Sequence, residues 1–502
     1  MLGGLMSQSA YSSLEKRYNR LALLGEVGGI LHWDSAAIMP VGGAKARGEQ
    51  IAELKAISHN LIVAPETADL IEAASQQTNL NPWQKSNLEL IRRHWIRANA
   101  IPEDLVISLS KACSNCETVW RDARAENDFK KILPYIETVL KLVKLSGTAI
   151  AEKLNLSLYD TLLDEFEPGA RSAQIDPIFD DLTDWLPNFL DDVLIKQNTR
   201  PMIHTPKGPF DIDIQRELGI QLMMALGFDF DYGRLDISLH PFCGGTPDDV
   251  RITTRYDQTD FTSALMGVLH ETGHAMYERG LPSDYSRQPV GKALGMSMHE
   301  SQSLLIEMQV CRSQEFLEYA APLVRLAFNG KGPAWEPDNL YRLYTKIERG
   351  FIRVDADEVT YPAHVILRYQ LEKALVNDEI KLADLPGAWN QKMQDLLGIT
   401  PPSDTLGCLQ DIHWYDGAWG YFPTYTLGAM TAAQIFQAAN LGDPNINTGI
   451  PKGNFKPLMA WLRSNIHSSG SLITASELLT KATGRPLDPQ VFKDHLRRRY
   501  LL

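Results

Sequence analysis

Several things are missing from this sequence, and each absence narrows what the chain can be. No run of about 18 apolar residues occurs, so no membrane span is expected. The opening MLGGLMSQSAYSSLEKRYNR has no basic region followed by an apolar stretch, so no signal peptide is expected and the cytoplasm is the expected location. Cysteine is scarce. Cys113, Cys116, Cys243, Cys311 and Cys408 are odd in number and too few for a disulfide scaffold. Positive charge is in deficit, with 49 Lys and Arg against 62 Asp and Glu and a net charge of −13. That balance aids solubility and argues against a nucleic-acid partner, whose phosphates would be repelled. No fixed-period repeat, low-complexity tract or long disordered linker interrupts the 502 residues.

What is present is mainly helical. EQIAELKAISHNLI, WQKSNLELIRRHWIRAN and FKKILPYIETVLKLVKLSGTAIAEKL carry apolar residues at three- and four-residue spacing, separated by turn signals such as LNPW and FEPGA. CSNC at 113–116 has redox-motif spacing but sits in an amphipathic helical stretch with no strand before it, which favours two helical cysteines over a thioredoxin-like site. One segment changes period. RLDISLHPF and DVRITTRY alternate or carry β-branched residues, with CGGTPD between them, and read as a short hairpin with a long turn. Helix is expected to resume at residue 261. It should continue through SQSLLIEMQVCRSQEFLEYAA and LYRLYTKIERGFIR, with PLMAWLRSNI and DPQVFKDHLRRRYLL helical in the tail. The expected fold is mostly α, one large helical domain over residues 1–502 with a small β-sheet beside the site, in one piece or as two lobes around a cleft.

Histidine is also sparse, at 12 residues, yet two of them flank a glutamate in VLHETGHAMYERG. Asp260 can cap a helix beginning at Phe261, and Gly280 followed by Pro282 can stop it. On that helix His270 and His274 share one face, one turn apart, and two such imidazoles can reach a single Zn²⁺ at about 2.0–2.1 Å each. Glu271 can then reach metal-bound water as general base. The bland alternative is a histidine pair on a solvated face. A catalytic zinc usually takes a third protein ligand. The metzincin pattern wants a glycine at position 277 and a histidine at 280, where this chain has Tyr277 and Gly280, so that class is excluded. Glu278 lies two turns from His270, about 12 Å along the axis, too far for one ion. The third ligand should therefore come from another helix, and MSMHESQSLLIEMQ at 296–309 offers Glu300, near its start, in preference to Glu307. His299 is read as a helix-start residue or as a contact behind the metal or with substrate. Cobalt can take the place of zinc on such ligands.

At this point the chain resembles the carboxypeptidase Taq family of zinc metallocarboxypeptidases. Besides HETGH, it carries HPF at 240–242, DVRIT at 249–253, HES at 299–301, IRVDAD at 352–357 and GCLQDIHW at 407–414, in the family's order. ILHWDSAAIMPVGGAKARGEQIAEL is similar to the family's opening segment, departing from it at SAAI. The resemblance implies a mostly helical fold around a long deep groove, similar to neurolysin and angiotensin-converting enzyme, and a homodimer. It implies His270, His274 and Glu300 as zinc ligands and Glu271 as the base. It also implies removal of single residues from peptide C-termini with broad side-chain tolerance.

Residue chemistry adds to this. An exopeptidase must recognise a free carboxylate, and the planar fork of arginine matches its two oxygens. Arg353 is the candidate, supported by Gln410 and His413; the alternative is an ion pair with Asp355 or Asp357 that only shapes the fold. Asp249, Arg251 and Thr253 share one face of the expected strand, and Arg251 with His240 are further substrate-binding candidates. An oxyanion donor is needed as the carbonyl becomes tetrahedral, and WGYFPTY offers Tyr421 and Tyr425. Two other functions compete: a zinc endopeptidase or oligopeptidase on the same fold, and a helical binding protein with a relict site.

Overall fold

The apolar spacing of the N-terminal segments becomes long helices in the computed structural model, which describes residues 9–502. Residues 1–8, part of the opening read above for a signal peptide, lie outside the described residues. The first four helices are α1 (Ala10–Ala37), α2 (Ala44–Val63), α3 (Pro65–Ser75) and α4 (Pro82–Ala100). Asn81 opens α4 through a capping box with Gln84, and Pro82 takes the first position, where no intrahelical donor is needed. Tyr11, Leu14, Tyr18, Ile71, Leu88 and Ile91 of this group close a small core. Next come α5 (Glu103–Glu126), α6 (Phe129–Leu154), α7 (Leu158–Phe166) and α8 (Ser172–Gln197). Cys113 and Cys116 stand on α5, unpaired.

After α9 (Ile212–Leu226) the chain forms its sheet from β1 (Gly233–Ile237), β2 (Phe242–Thr246) and β3 (Asp249–Thr254), in the order β1-β3-β2. The expected hairpin is corrected here. The two segments read as its strands run parallel as β1 and β3, and the segment read as a long turn supplies β2, antiparallel to β3. Gly245 makes the difference. Its φ is +92°, and a Cβ there would lie 2.0 Å from the Asp249 carbonyl oxygen, so only glycine lets the chain fold back within two residues of Thr246.

Helix α10 (Phe261–Gly280) packs across this sheet, its N-terminus capped by Asp260, which accepts from the Thr262 amide. Then follow α11 (Met296–Leu304) and, continuous with it, a π-helical stretch from Leu305 to Cys311. The helix expected through residues 301–321 is thus split, because Ser313 caps a fresh start for α12 (Gln314–Ala327). α13 (Pro337–Tyr344) is also shorter than expected. Its continuation toward Arg353 unwinds because side chains take the backbone groups: Gln197 brackets Ile347 at 2.8 Å and 2.9 Å, and Asp357 accepts the Glu348 amide. The remainder comprises α14 (Tyr361–Val376), α15 (Leu385–Leu397), α16 (Pro423–Gly442), α17 (Asn445–Gly449), α18 (Lys456–Asn465), α19 (Ala475–Thr483) and α20 (Pro489–Tyr500). The last helix is tied down by buried Glu358, which accepts from His495, Arg499 and Tyr500. Among the described residues no helix is long and apolar enough to cross a membrane.

Two large cores result. One gathers α5–α8, α14, α15, α20 and the 407–422 loop; the other gathers α9–α13, the sheet and α17–α19. Helix α16 serves both, with Leu427, Met430 and Ala433 in the first and Ala432, Ile435 and Ala439 in the second. The fold is mostly α with a small sheet against α10, as the sequence pattern indicated.

Helices α10, α11 and α16 approach until backbones touch. A Cβ on Gly273 would lie 2.5 Å from the Gln302 carbonyl and 2.6 Å from Ser303 Cα. One on Gly428 would lie 2.9 Å from Cβ and Cγ of Glu300. In an uncrowded helix Gly→Ala gains about 0.5–1 kcal/mol; overpacking costs about 1–3 kcal/mol. The second effect should win, so Gly273→Ala should lower the thermal unfolding midpoint. An unchanged or raised midpoint would show that the two helices can part without cost.

Candidate active site

The close approach of α10 and α11 puts three side chains at one point. His270 and His274, one turn apart on α10, present Nε2 atoms to Glu300 on α11, with Oε2 4.0 Å from the first and 3.5 Å from the second. One candidate ligand atom from each residue lies within 4.8 Å of the others. Two ligands held about 2.0–2.1 Å from a tetrahedral ion stand about 3.4 Å apart, so small side-chain shifts would suit this set of two nitrogens and one oxygen to zinc.

The opposite ring edges are also held. His270 Nδ1 lies 2.9 Å from Glu307 Oε2, and Glu307 Oε1 accepts from Arg312 at 2.6 Å. A carboxylate can only accept, so the His270 proton sits on Nδ1 and the Nε2 lone pair faces the cluster. His274 reaches the same state by a longer route. Its Nδ1 is 2.7 Å from Nδ1 of His299, whose Nε2 is 2.8 Å from Glu278. Glu278 accepts from the His299 Nε2–H, His299 Nδ1 then accepts from the His274 Nδ1–H, and the His274 Nε2 lone pair is left free. Glu278 does not reach the cluster directly, but it bears on it through His299. The π-helical turn matters here, because it carries Glu307 to the back of His270 while Glu300, two turns earlier, faces the front.

The electrostatics favour a cation. Burial works against charge on His270, but the bond to Glu307 and the charges of Glu300 and Glu271 outweigh it and push its pKa to about 10, so Nε2 takes a proton unless a cation displaces it. Glu271 is 7% exposed, and burial raises its carboxyl to about 7, with the charge on His270 pulling the other way. A carboxylate near neutrality is well matched to moving a proton. Edge strand β2 lies beside it, and half-buried Cys243 feels its charge.

A second cluster comes from the other core. Arg353 is 5% exposed, and its Nε and Nη2 donate to Asp411 Oδ1 at 3.0 Å and 2.8 Å. Fully buried Arg368 takes the other oxygen through Nε at 2.7 Å. Neither Asp355 nor Asp357 pairs with Arg353; Asp357 accepts backbone amides instead. Burial lowers Arg368 to about 10, which leaves it charged at neutral pH, and burial and the nearby guanidiniums hold His364 at about 3 and His413 at about 4. Two guanidiniums therefore face one carboxylate, and the buried cluster carries a positive charge without a counterion.

The remaining candidates divide. Tyr425 joins the arginine cluster, its ring 4.8 Å from the Arg353 guanidinium and its hydroxyl 3.2 Å from His413 Nε2. Tyr421 pairs with it at a ring separation of 5.2 Å. Both feel the charge of Glu300, so they lie between the two clusters. Gln410 braces the backbone: Oε1 accepts the Arg353 amide, and Nε2 donates to the carbonyls of Phe351, Leu406 and Gly407. Arg251 pairs with Asp249 and stacks over Trp33 at 4.3 Å. His240 is exposed, and its carbonyl accepts from Ser238. Among the described residues these last two make no hydrogen bond, ion pair or ring contact with either cluster. Asp411, Arg368 and Tyr361, which contacts Arg353 and also feels Glu300, were not singled out in the sequence. Asp411 stood in the quoted GCLQDIHW and was the one signal available.

Comparison with known proteins agrees with this geometry. Residues 13–500 match the family described as carboxypeptidase Taq (M32) metallopeptidase. The chain is 35% identical to thermostable carboxypeptidase 1 of Thermus thermophilus, with 98% of both chains covered. It is 34% identical to carboxypeptidase 1 of Bacillus subtilis, with 96% of both covered. The solved structure of Trypanosoma cruzi metallocarboxypeptidase 1 superposes with a TM-score of 0.96 at 40% identity, covering 98% of this chain and 99% of that one.

If Glu278 and Glu307 fix the two histidines, each should matter to metal affinity without touching the ion. Glu278→Ala and Glu307→Ala are each expected to weaken affinity for a divalent metal about 10–100-fold in competition with a chelator. Wild-type affinity in Glu278→Ala would mean that His299 alone orients His274.

Proposed function

The chain belongs to the carboxypeptidase Taq (M32) metallopeptidase family and is a metallocarboxypeptidase, a peptide hydrolase; on that premise we propose that it is a zinc enzyme that removes the last residue of peptides bearing a free C-terminal carboxylate, with broad tolerance for the side chain removed. His270, His274 and Glu300 would hold the ion, and cobalt would be accepted in its place. Zinc in that position would supply Lewis acidity to the scissile carbonyl and the attacking water. The observation that carries the proposal is the pairing of an acid-rich cluster, suited to a cation, with a buried cluster in which two arginines share one carboxylate, flanked by a tyrosine that feels both.

The chain's own residues have distinct tasks in this reading. Arg353 binds the C-terminal carboxylate, and its two bonds to Asp411 hold the fork in place. Arg368 adds the second positive charge from behind. Gln410 fixes the Arg353 backbone, and His413, kept neutral, offers Nε2 to Tyr425. With the carboxylate held, the last peptide bond lies over the metal cluster. Glu271 removes a proton from the attacking water and delivers it to the leaving amine. Tyr421 or Tyr425 donates to the oxygen that gains negative charge. His299 orients His274. His240 and Arg251, on the sheet, serve contacts with residues further along the peptide. We also propose that residues 1–502 act as one catalytic domain, since α16 belongs to both cores, and that the protein is a cytoplasmic homodimer.

Alanine at His270, His274 or Glu300 should sharply reduce metal content. Glu271→Gln should keep the metal and lose about 10²–10⁴-fold in turnover, the usual share of base catalysis. Metal loss in Glu271→Gln would instead make that residue part of the ion's support, and full occupancy in Glu300→Ala would move the third ligand elsewhere.

A charge-assisted hydrogen bond contributes about 1.5–3 kcal/mol, or roughly 10- to 150-fold in specificity at about 1.4 kcal/mol per tenfold. Arg353→Ala should depress cleavage of free-acid peptides at least that much with metal content intact. C-terminal amidation should do the same to the wild type, and the two losses should overlap rather than multiply. Cleavage of amidated peptides at internal bonds with undiminished rate would replace this reading with an endopeptidase.

A further inference from the structure

A cavity of about 480 Å³ opens away from both clusters, between the end of α8, the extended chain that follows it, and α13. Its charged lining is all of one sign, Arg200, Arg342 and Lys346, and no carboxylate faces it. In a chain with 13 more acidic than basic residues that is an unusual place for three cations to be left together. The cations differ in how they are held. Arg200 is anchored, donating through Nη2 to the Tyr500 carbonyl at 2.7 Å. Lys346, on the exposed side, pairs with Glu348. Arg342 makes no hydrogen bond or ion pair with any described residue. Its Nε is shut off from solvent while its Nη atoms are not, so the outer edge of the guanidinium is open to an acceptor in the cavity.

We propose that this cavity is an anion site whose ligand carries a phosphate group. Two guanidinium forks, one fixed and one unengaged, suit the several oxygens and two negative charges of a phosphate, and Lys346 adds a third donor at the rim. The space falls within the range of small-molecule sites, far above what a free phosphate fills. Met202, Ile203 and Leu343 provide an apolar wall for the rest of the molecule. The occupant favoured by that volume and lining is an organic monophosphate whose body packs on the apolar wall. The site stands apart from the peptide-cleaving reaction and does not depend on the residues assigned to it.

The test is calorimetric titration of the full-length, metal-loaded protein at low salt, with inorganic phosphate in one arm and adenosine 5′-monophosphate in the other. Saturable one-to-one binding is expected in the millimolar range or tighter. Arg342→Gln should weaken it at least tenfold, Arg342→Lys should weaken it less, and Arg353→Ala should leave it unchanged. Tighter binding of the nucleotide identifies an organic phosphate, and equal binding of both identifies the free ion; either outcome sustains the site. Lys346→Gln, at an exposed position, carries the test should Arg342→Gln not fold, and is expected to weaken binding severalfold. Absence of saturation, or binding that these substitutions leave intact, overturns the proposal, the second result assigning the anion to Arg353 or the metal.

Discussion

A carboxylate on one helix can meet two histidines on another only if the helix backbones almost touch. Everything at the metal cluster follows from that contact between α10 and α11. It is made possible by Gly273, one residue before the second histidine, and reinforced where Gly428 on α16 leaves room for Glu300. Side chains of ordinary size would separate helix axes by 8–10 Å and put a short glutamate out of range. The glycine within HETGH thus has a spatial task as definite as that of the histidines. It also means that the three candidate ligand groups, spread over 30 positions of sequence, are held by helices in direct backbone contact.

Charge is arranged on the same principle of enforced proximity. Around His270 stand Glu271, Glu300 and Glu307, and a cation is welcome there. Around Asp411 stand Arg353 and Arg368, and an anion is welcome there. A peptide end has the matching pattern, with a polarisable carbonyl one residue before a carboxylate. Burial amplifies these preferences, most of all around Arg353 and Arg368, which are almost shut off from water. Neutral His364 and His413 are the sign of this, since burial and then the arginine field leave no place for further protons.

Much of this was legible in the sequence. The spacing of apolar residues gave α4, α6, α18 and α20 nearly to the residue and all of α2 but its first five residues and its last, and Asp260 and Gly280 bounded α10. His270, His274 and Glu300, chosen because Glu278 was too distant along one helix, are the three groups that the fold brings together. What was not legible depends on partners remote in the chain. Arg353 pairs with Asp411, 58 positions away, rather than with the aspartates beside it. Gln197 unwinds the chain after Tyr344 across 150 positions. Local periodicity has no access to such contacts. The π-helical turn was hidden for a different reason: its residues have helix-like spacing, and only the position of Glu307 behind His270 reveals the wider turn. CGGTPD read as a turn because glycine is a turn residue, yet at Gly245 it permits a tight reversal that makes its own segment a strand.

Helix α16 has a bearing on how the molecule comes apart. Opposite faces of it are embedded in different cores, so neither core can melt without stripping one face of the same helix. Regions that share a buried element open together, and separable ones open in stages. The two halves of the proposed peptide-binding arrangement, the arginine cluster in one core and the candidate metal cluster in the other, should therefore unfold as a single cooperative unit. Heat should not produce a partly folded species that keeps an ordered metal cluster while its carboxylate anchor has gone, and the enzyme would lose its ability to measure the end of a chain only when it loses its fold.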